Sequence, residues 1–173
     1  MGQDRATGRA AARRPRPGVT AAPSRLRIRG LARRDLPEIL RIDAYHTGAR
    51  KPAYWKRVLG EFLGTPDTNL RVGLAAEGPR GLSGYLLGEV RAFEFGSEPC
   101  GWIFAVGVDS AALRQGVATA LVSEACRRFR AAGVSTVRTM VRRNDVPVLA
   151  FFRSSGFSGG PYVQLELEVG PGR

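Results

Sequence analysis

The most constraining feature of this 173-residue sequence is a strand–helix–strand pattern in its second half. Residues 102–108 form an unbroken apolar stretch, which is typical of a strand buried on both faces. Residues 116–132 carry an apolar stripe at helical spacing and stop at Gly133. Residues 134–141 again have the pattern of a strand. Such a unit forms a right-handed crossover between parallel strands, so the chain has to contain a sheet with at least one parallel pair.

The remaining periodicities complete an α/β architecture. Strands are predicted at 26–29, 70–76, 82–93 and 162–169, and helices at 35–45, 52–63 and 146–154. Short turns between the strands in the middle of the chain indicate antiparallel hairpins. The order predicts a mixed, mostly antiparallel central sheet (an α+β arrangement) with helices on both faces and one β-α-β crossover.

The N-terminal residues differ from the rest of the chain. Residues 1–24 contain five arginines, one acid, and no aromatic or branched aliphatic residue before Val19. Such a composition cannot bury enough apolar surface to offset its ordering entropy, so we expect a disordered basic tail. Residues 25–170 are then expected to form a single domain.

Charge and rare residues exclude several classes of protein. The chain has 27 basic and 15 acidic residues, a net charge of +12, two cysteines and one histidine. These counts leave no four-ligand structural zinc site and no disulfide framework, so we expect no metal and a cytoplasmic location. The longest apolar run is far short of the roughly 20 residues of a membrane span, so no membrane partner is expected.

The connection between the buried strand and the helix is the segment that indicates chemistry. The helix opens at Gly116, and Arg114 lies two residues earlier. The first turn of a helix has unbonded N–H groups and the positive end of the helix dipole. A glycine lets a phosphate approach that backbone closely, so this is a candidate phosphate or pyrophosphate site. A plain strand–helix turn explains the same residues, and this alternative is open at this point.

Two motifs at matching separation resemble those of the GNAT N-acetyltransferases. Residues 114–118 (RQGVA) look like the core of the family's Q/R-x-x-G-x-G/A motif, preceded by a strand ending in VGVD. Asn144 and residues 150–157 (AFFRSSGF) resemble the family's N…A…Y-x-x-x-G-F segment. The predicted order of elements is also similar to that of the family.

The resemblance implies an acyl-CoA-dependent N-acyltransferase that uses acetyl-CoA and a primary amine acceptor. The amine would attack the thioester directly, without an acyl-enzyme. An N–H near Val106 would polarise the thioester carbonyl, and the 114–119 amides would bind the pyrophosphate. The residues expected to contact acetyl-CoA are Val106, Gly107, Val108, Leu113, Arg114, Gln115, Gly116, Val117, Ala118, Thr119, Asn144, Phe151 and Phe152.

Three positions depart from the family pattern. Leu113 stands where Gln or Arg is usual, Phe152 aligns with the family's tyrosine acid, and Trp102 aligns with a glutamate that some members carry. The general acid and base are therefore unassigned. Glu94 and Glu98, in the loop before the apolar strand, are candidate bases, and Tyr162 is a candidate acid.

Other interpretations are left open by the sequence. His46, with Asp43 and Tyr54, lies between the first two helices, where GNAT proteins often border their acceptor pocket, although a solvated histidine explains the same position. The missing acid and base also fit a non-catalytic acyl-CoA-binding module. The net charge of +12 raises a nucleic-acid-binding protein as a third reading, but the arginines are scattered rather than clustered. The acceptor is not identified, and a homodimer is neither required nor excluded.

Overall fold

The computed structural model describes residues 26–64, 70–93 and 97–170. The strands and helices in these ranges are, in chain order, β1 (Arg27–Gly30), α1 (Leu36–Thr47), α2 (Pro52–Leu63), β2 (Arg71–Gly78), β3 (Gly81–Phe93), β4 (Ser97–Val108), α3 (Val117–Ala131), β5 (Val137–Thr139) and α4 (Val146–Ser154). Short 3₁₀ turns at Arg33–Asp35 and Ser110–Ala112 precede α1 and α3.

The described strands form one mixed sheet in the order β1-β2-β3-β4-β5. Each of the first four strands is antiparallel to its neighbour. The last pair, β4 and β5, is parallel and is joined through α3. This confirms the predicted mostly antiparallel sheet with a single β-α-β crossover.

Helices cover both faces of the sheet, as predicted. On one face, Leu121 and Phe129 of α3 pack with Leu86 of β3 in a fully buried cluster. On the other face, Ile42 of α1 packs with Leu87 of β3. Leu86 and Leu87 are adjacent, and their opposite directions follow from the two-residue period of a strand.

The start of α1 shows how a charged group is held in this fold. Asp35 precedes α1, as predicted for an N-cap, but its side chain does not cap the helix. Its carboxylate accepts the Ala32 N–H at 2.8 Å and two bonds from the Arg29 guanidinium at 2.8 Å each. Burial by itself raises the pKa of Asp35, but the hydrogen bonds from Arg29 and Ala32 outweigh it and the pKa is lowered.

The predicted final strand at 162–169 is wrong. These residues make no strand in the structure, and among the described strands β5 is the last of the sheet. Alternating apolar and polar residues give an extended segment one apolar face and one polar face. The pattern contains no information about whether a neighbouring strand is present. The prediction for β5 was also too long, since only Val137–Thr139 of residues 134–141 pair with β4.

Some predicted features lie outside the residues that the structure describes. The predicted tail, residues 1–24, lies outside, as does Glu94. In the described part of the chain, no helix is long and apolar enough to cross a membrane. The same residues contain no group of three or more His, Cys, Asp or Glu side chains placed to hold a metal ion.

Candidate functional site

The site begins where β4 and β5 separate. The two strands pair only over Gly101–Ile103 and Val137–Thr139, whereas β4 continues to Val108. Within the described residues, positions 104–108 therefore have no neighbouring strand on the β5 side. We call this side of β4 its open edge. Phe104 is 36% exposed, so the prediction of a strand buried on both faces fails at this position.

The register of β4 decides which backbone groups face the open edge. The Asp109 N–H donates to the Ser83 carbonyl at 2.9 Å, so this amide faces β3. Successive N–H groups of a strand alternate between its two edges, which turns those of Val106 and Val108 toward the open edge. The Val108 carbonyl lies 2.7 Å from Nε2 of His46. Since a carbonyl only accepts, Nε2 carries the proton and donates.

A β-bulge lies at the beginning of the open edge. Leu87 of β3 is opposite Ala105, but Gly88 is opposite Ile103, so Phe104 has no partner on β3. A bulge of this kind bends the strand and shifts the alternation of its side chains. The unbroken apolar run gives no sign of it, which is why sequence analysis missed the bulge.

The loop between β4 and α3 has an unusual backbone. Arg114 has φ +60° and Gly116 has φ +78°, so both lie in the left-handed region. Arg114 is the one non-glycine residue of the described chain with positive φ, and such strain clusters at functional sites. The first helical hydrogen bond of α3 runs from the Ala120 N–H to the Gly116 carbonyl at 2.9 Å. The N–H groups before it have no acceptor within the helix, and they belong to Val117, Ala118 and Thr119.

Side chains around the loop hold it in place. The Asp109 carboxylate accepts the Ala111 N–H at 2.8 Å, and the Gln115 amide donates to the Ala111 carbonyl at 3.0 Å. Arg41 of α1 binds both Asp109 and Glu38. The hydrogen bond from Arg41, followed by that from Ala111, lowers the pKa of Asp109 and keeps it ionised. A cavity of about 320 Å³ lies on the β3 side of the loop, lined by Arg41, Arg80, Leu82, Ser83, Asp109, Ser110, Ala111 and Ala112.

Positive charge collects at this end of the sheet. The loop after β4 carries Arg114, and the loop after β5 carries Arg142, Arg143 and Asn144, all of them exposed. Because β4 and β5 are parallel, their carboxyl ends and the loops that follow lie at the same end of the sheet. Arg142 and Arg143 were not among the predicted site residues. The sequence could have indicated them, because they lie next to the predicted site residue Asn144 and just after a strand parallel to β4.

The two phenylalanines that were predicted to contact acetyl-CoA, Phe151 and Phe152, lie in different environments. Phe152 is only 5% exposed and belongs to the core cluster beneath α3. Its ring is in edge contact with Phe151 at 5.0 Å and with Phe157 at 5.1 Å between centroids. Phe151 is half-buried, so it has the exposed surface that Phe152 lacks. Leu113, in the loop before α3, is 43% exposed.

Close packing on the α1 side explains Gly107. A Cβ added there would lie 2.6 Å from the Tyr85 ring and 3.0 Å from Ile42. The absence of a side chain therefore lets Tyr85 and α1 lie directly on the strand that forms the open edge. Burial, followed by the charge of Asp43, raises the pKa of Tyr85.

Two buried polar atoms lie between α1 and α2. Oδ2 of Asp43 and the indole nitrogen of Trp55 are buried, and neither has a hydrogen-bond partner among the described residues. Lys51 forms an ion pair with Asp43, with Nζ 3.4 Å from Oδ2. The Trp55 ring is in edge contact with Tyr85 at 5.2 Å. This polar group is on the same side of the sheet as the Gly107 contact.

The candidate acid and base occupy separate places. Glu98 is exposed near the start of β4, five residues before Ile103, which is roughly 17 Å along an extended strand. Tyr162 is 54% exposed and lies under the Arg138 guanidinium, 4.6 Å from it to the ring centroid. Arg138 is opposite Trp102, just before the strands separate. Tyr162 is therefore close to the beginning of the open edge, whereas Glu98 is distant from it.

The family can now be identified. A sheet with a bulged strand, a neighbouring parallel strand that stops early, and a helix opening on a left-handed glycine define an acetyltransferase-like fold. The sequence matches the acetyltransferase (GNAT) family over residues 35–157, which is more than half of the chain. The chain belongs to the GNAT family and is an acetyltransferase of that class. No curated protein sequence matches this chain.

Solved structures show the same fold at low identity. The aminoglycoside N-acetyltransferase AAC(6')-Iy, in complex with CoA, is 15% identical with a TM-score of 0.73, covering 87% of this chain and 98% of its own. The aminoglycoside 6'-N-acetyltransferase AAC(6')-IG from Acinetobacter haemolyticus is 20% identical with a TM-score of 0.68, covering 83% and 99%. A transcriptional regulator from Bacillus halodurans is 19% identical with a TM-score of 0.70, covering 84% and 100%.

Proposed function

We propose that this protein transfers the acetyl group of acetyl-CoA directly to a primary amine. The observation that carries the proposal is the open edge of β4 next to the left-handed loop that begins α3. Together they offer extended backbone for an elongated ligand and free amides for a diphosphate at its end. The CoA complex of a neighbour with the same fold supports the choice of donor.

The residues present fit the donor. The amides of Val117 to Thr119 and the guanidinium of Arg114 would bind the pyrophosphate, since the helix dipole and the free N–H groups both favour an anion. A Cβ at Gly116 would meet no atom within 4 Å, so the loop leaves room for a phosphate. Arg142 and Arg143 would add charge for the phosphates. The Val106 and Val108 N–H groups would pair with the pantetheine arm.

His46 limits how that pairing takes place. It already donates to the Val108 carbonyl, so this oxygen is engaged by the protein. The donor would therefore use the Val108 N–H and the groups of Val106. The Val106 N–H is also the nearest described amide beyond the bulge that faces the open edge, and we assign it to the thioester carbonyl, where it would stabilise developing negative charge.

The two cysteines favour direct transfer over a covalent acyl-enzyme. Burial raises the pKa of the Cys100 thiol and of the Cys126 thiol, so neither is readily a thiolate. Both are free in the structure, which suits a reducing compartment, and we place the reaction in the cytoplasm.

We name a candidate acid and a candidate base from their positions in the structure. Phe152 has no proton to donate, and coenzyme A, with a thiol pKa near 8.5, can leave largely as a thiolate without an acid. Among the described side chains, Tyr162 is our candidate general acid, because it lies close to the beginning of the open edge. Glu98 is the described candidate base, and its distance from the open edge requires a proton path through water. Glu94 is the other candidate, outside the described residues.

The acceptor is proposed as a class. Aminoglycosides are acceptors in the names of neighbouring enzymes, and they are amines, so they belong in any test. We place the acceptor on the α1–α2 side of the sheet, because the ion pair that the described residues give the buried Asp43 carboxylate there is with the partly exposed Lys51. An acceptor ammonium is the kind of group that would compete with Lys51 for this carboxylate.

A combined binding and turnover measurement tests the proposal. Acetyl-CoA at 100 times its dissociation constant is expected to add about 2.7 kcal/mol of stability, seen as a higher melting temperature. Free thiol release is then measured with a panel of aminoglycosides, polyamines, amino acids and peptides. Binding without turnover on any amine would favour the non-catalytic acyl-CoA-binding module. No stabilisation at millimolar acetyl-CoA would refute the assignment of the donor site.

A further inference from the structure

His46, near the carboxyl end of α1, reaches the strand that we assign to the donor. It is the single histidine of the chain. Its Nε2 lies 2.7 Å from the carbonyl oxygen of Val108, 62 positions later in the sequence. The N–H and C=O groups of one strand residue point to the same edge, so this carbonyl faces the open edge of β4, as the Val108 N–H does. The imidazole ring therefore lies at the open edge itself, where β4 ends.

The contact with Val108 fixes which ring nitrogen is basic. A carbonyl oxygen only accepts, so Nε2 carries the proton, and the other nitrogen of the neutral ring, Nδ1, then has a free lone pair. Nδ1 has no hydrogen-bond partner in the part of the chain that the structure describes, and the residue is exposed. A histidine that is held at one nitrogen and accessible at the other has the arrangement of a general base.

The charges near the imidazole are matched with each other. The charged and titratable side chains around it come from α1 and from the segments that follow α1 and β4: Arg41, Asp43, Tyr45, Lys51 and Asp109. Both carboxylates among them are paired with a cation. The Tyr45 ring is in edge contact with the imidazole at 5.1 Å between centroids. Histidine is the side chain that ordinarily exchanges a proton between pH 5 and 8, so proton transfer near neutral pH is the chemistry of His46 in this group.

His46 is better placed than Glu98 to act at the reacting carbonyl. We assign the thioester carbonyl to the Val106 N–H, two residues before Val108 and therefore roughly 7 Å from it along an extended strand. Glu98 is eight residues before Val106, roughly 26 Å along the same strand. Asp43, to which we assign the acceptor, lies on the same helix as His46 and one turn before it. A base at this position can reach the attacking nitrogen directly or through one water.

We propose that His46 is the general base of the transfer, an inference that rests on the proposed function. The acceptor arrives as an ammonium ion and loses one proton through His46 to water. As the C–N bond to the thioester carbon forms, Nδ1 takes a second proton from the same nitrogen, the C–S bond breaks, and coenzyme A leaves as a thiolate. The exposed imidazolium then releases its proton to water. Nε2 keeps its proton throughout, so the bond to Val108 holds the ring in both charge states.

The tautomer can be observed directly, because the chain has one histidine. A long-range proton–nitrogen NMR spectrum of the nitrogen-15-labelled chain, purified without a histidine tag, contains the signals of this ring alone. We expect the neutral ring to be the Nε2–H tautomer, with an unprotonated Nδ1. A ring that carries its proton on Nδ1 overturns the proposal, because that nitrogen could not then accept one. The measurement requires no acceptor.

The pH dependence of thiol release is the second test. His46→Gln retains an N–H donor for the Val108 carbonyl but has no basic nitrogen. With acetyl-CoA and the panel amine that reacts fastest, we expect kcat to fall by about 10²–10⁴ and the dissociation constant of acetyl-CoA to stay unchanged. We also expect the variant to lose the decline of kcat that the wild type shows toward acid pH. The matched control, Tyr45→Phe, keeps the ring contact and is expected to keep the wild-type pH profile.

The possible outcomes separate the base from the proposed function. A residue that only holds Val108 in place would, on substitution, weaken acetyl-CoA binding and leave the acid decline of kcat unchanged, and this pattern overturns the proposal. Full activity of His46→Gln beside an active wild type overturns the base assignment and leaves the proposed function intact. A wild type that releases no thiol with any amine refutes the proposed function, and the inference with it.

Discussion

Gly116 and Gly133 offer a matched pair for testing the donor site. Gly116 immediately precedes α3 and has φ +78°, and Gly133 follows α3 and has φ +80°. A Cβ would meet no atom within 4 Å at either position. The cost of alanine is therefore the left-handed backbone alone, about 1–2 kcal/mol at each site. For a chain of this length that is a fall in melting temperature of about 2–8 °C.

The two variants are expected to differ in how strongly acetyl-CoA stabilises them. Relief of the strain in Gly116→Ala moves the amides that begin α3, whereas relief in Gly133→Ala moves only the far end of the helix. We expect the dissociation constant of Gly116→Ala to rise at least tenfold, which is about 1.4 kcal/mol. At a ligand concentration that stabilises the wild type by about 2.7 kcal/mol, Gly116→Ala then retains about half of that gain.

Thermal unfolding with and without acetyl-CoA measures both quantities in one experiment. Gly133→Ala is expected to lose stability and keep the full ligand-induced gain. If Gly116→Ala and Gly133→Ala gain equally from acetyl-CoA, the loop at the start of α3 does not bind the donor. Equal stabilities of the two unliganded variants are the internal check that their backbone strain is matched.

Four further predictions concern the base, the aromatic core, the missing general acid and stability at low pH. Glu98→Gln is expected to lower kcat by about 10²–10⁴ with little change in acetyl-CoA affinity if Glu98 is the base, with partial recovery at higher pH; full activity near neutral pH would exclude it. Phe152→Ala is expected to cost about 3–5 kcal/mol of folding stability in denaturant titrations, because its ring is buried between Phe151 and Phe157. Phe152→Tyr is expected to raise turnover only modestly, and a gain of a hundredfold or more would show that the native enzyme is limited by a missing acid. Hydrogen bonds from Arg127 and Arg128 lower the pKa of Glu124 from 4.5 to about 2, so its contribution to stability is complete above pH 4.5 and is lost as the pH falls toward 2. Glu124→Gln is expected to flatten the melting temperature over that range, and an unchanged acid transition would contradict the assignment.

Most of the fold was predictable because it depends on local pattern. The bounds of α2 and α4 agree with the prediction, since apolar spacing and a proline in the first turn mark each start. The crossover through α3 was predictable because a buried strand, an amphipathic helix and a second strand in succession form a right-handed connection between parallel strands. The loop at Gly116 was found because its glycine lies between a strand and a helix, where a phosphate site has a physical basis.

Features that depend on partners across space were not predictable. Alternation at residues 162–169 shows two chemically different faces, but pairing requires a neighbouring strand, and the described residues provide none. The bulge at Phe104 shifts the alternation within an unbroken apolar run, so no residue type reveals it. The bond from His46 to Val108 joins residues 62 positions apart, and only the packing of α1 on the sheet brings them together.

The sequence by itself therefore determined most of the order of the elements, which follows from spacing along the chain, and its motifs resemble those of the family to which the chain belongs. It also placed the loop at Gly116, to which we assign the donor as a proposal. The tertiary structure alone decided which amides of β4 face an open edge, because this depends on where β5 stops. It also decided that Phe152 is a core residue and that the apolar residues after Tyr162 lie in water, because burial is a property of what surrounds a side chain rather than of the side chain itself.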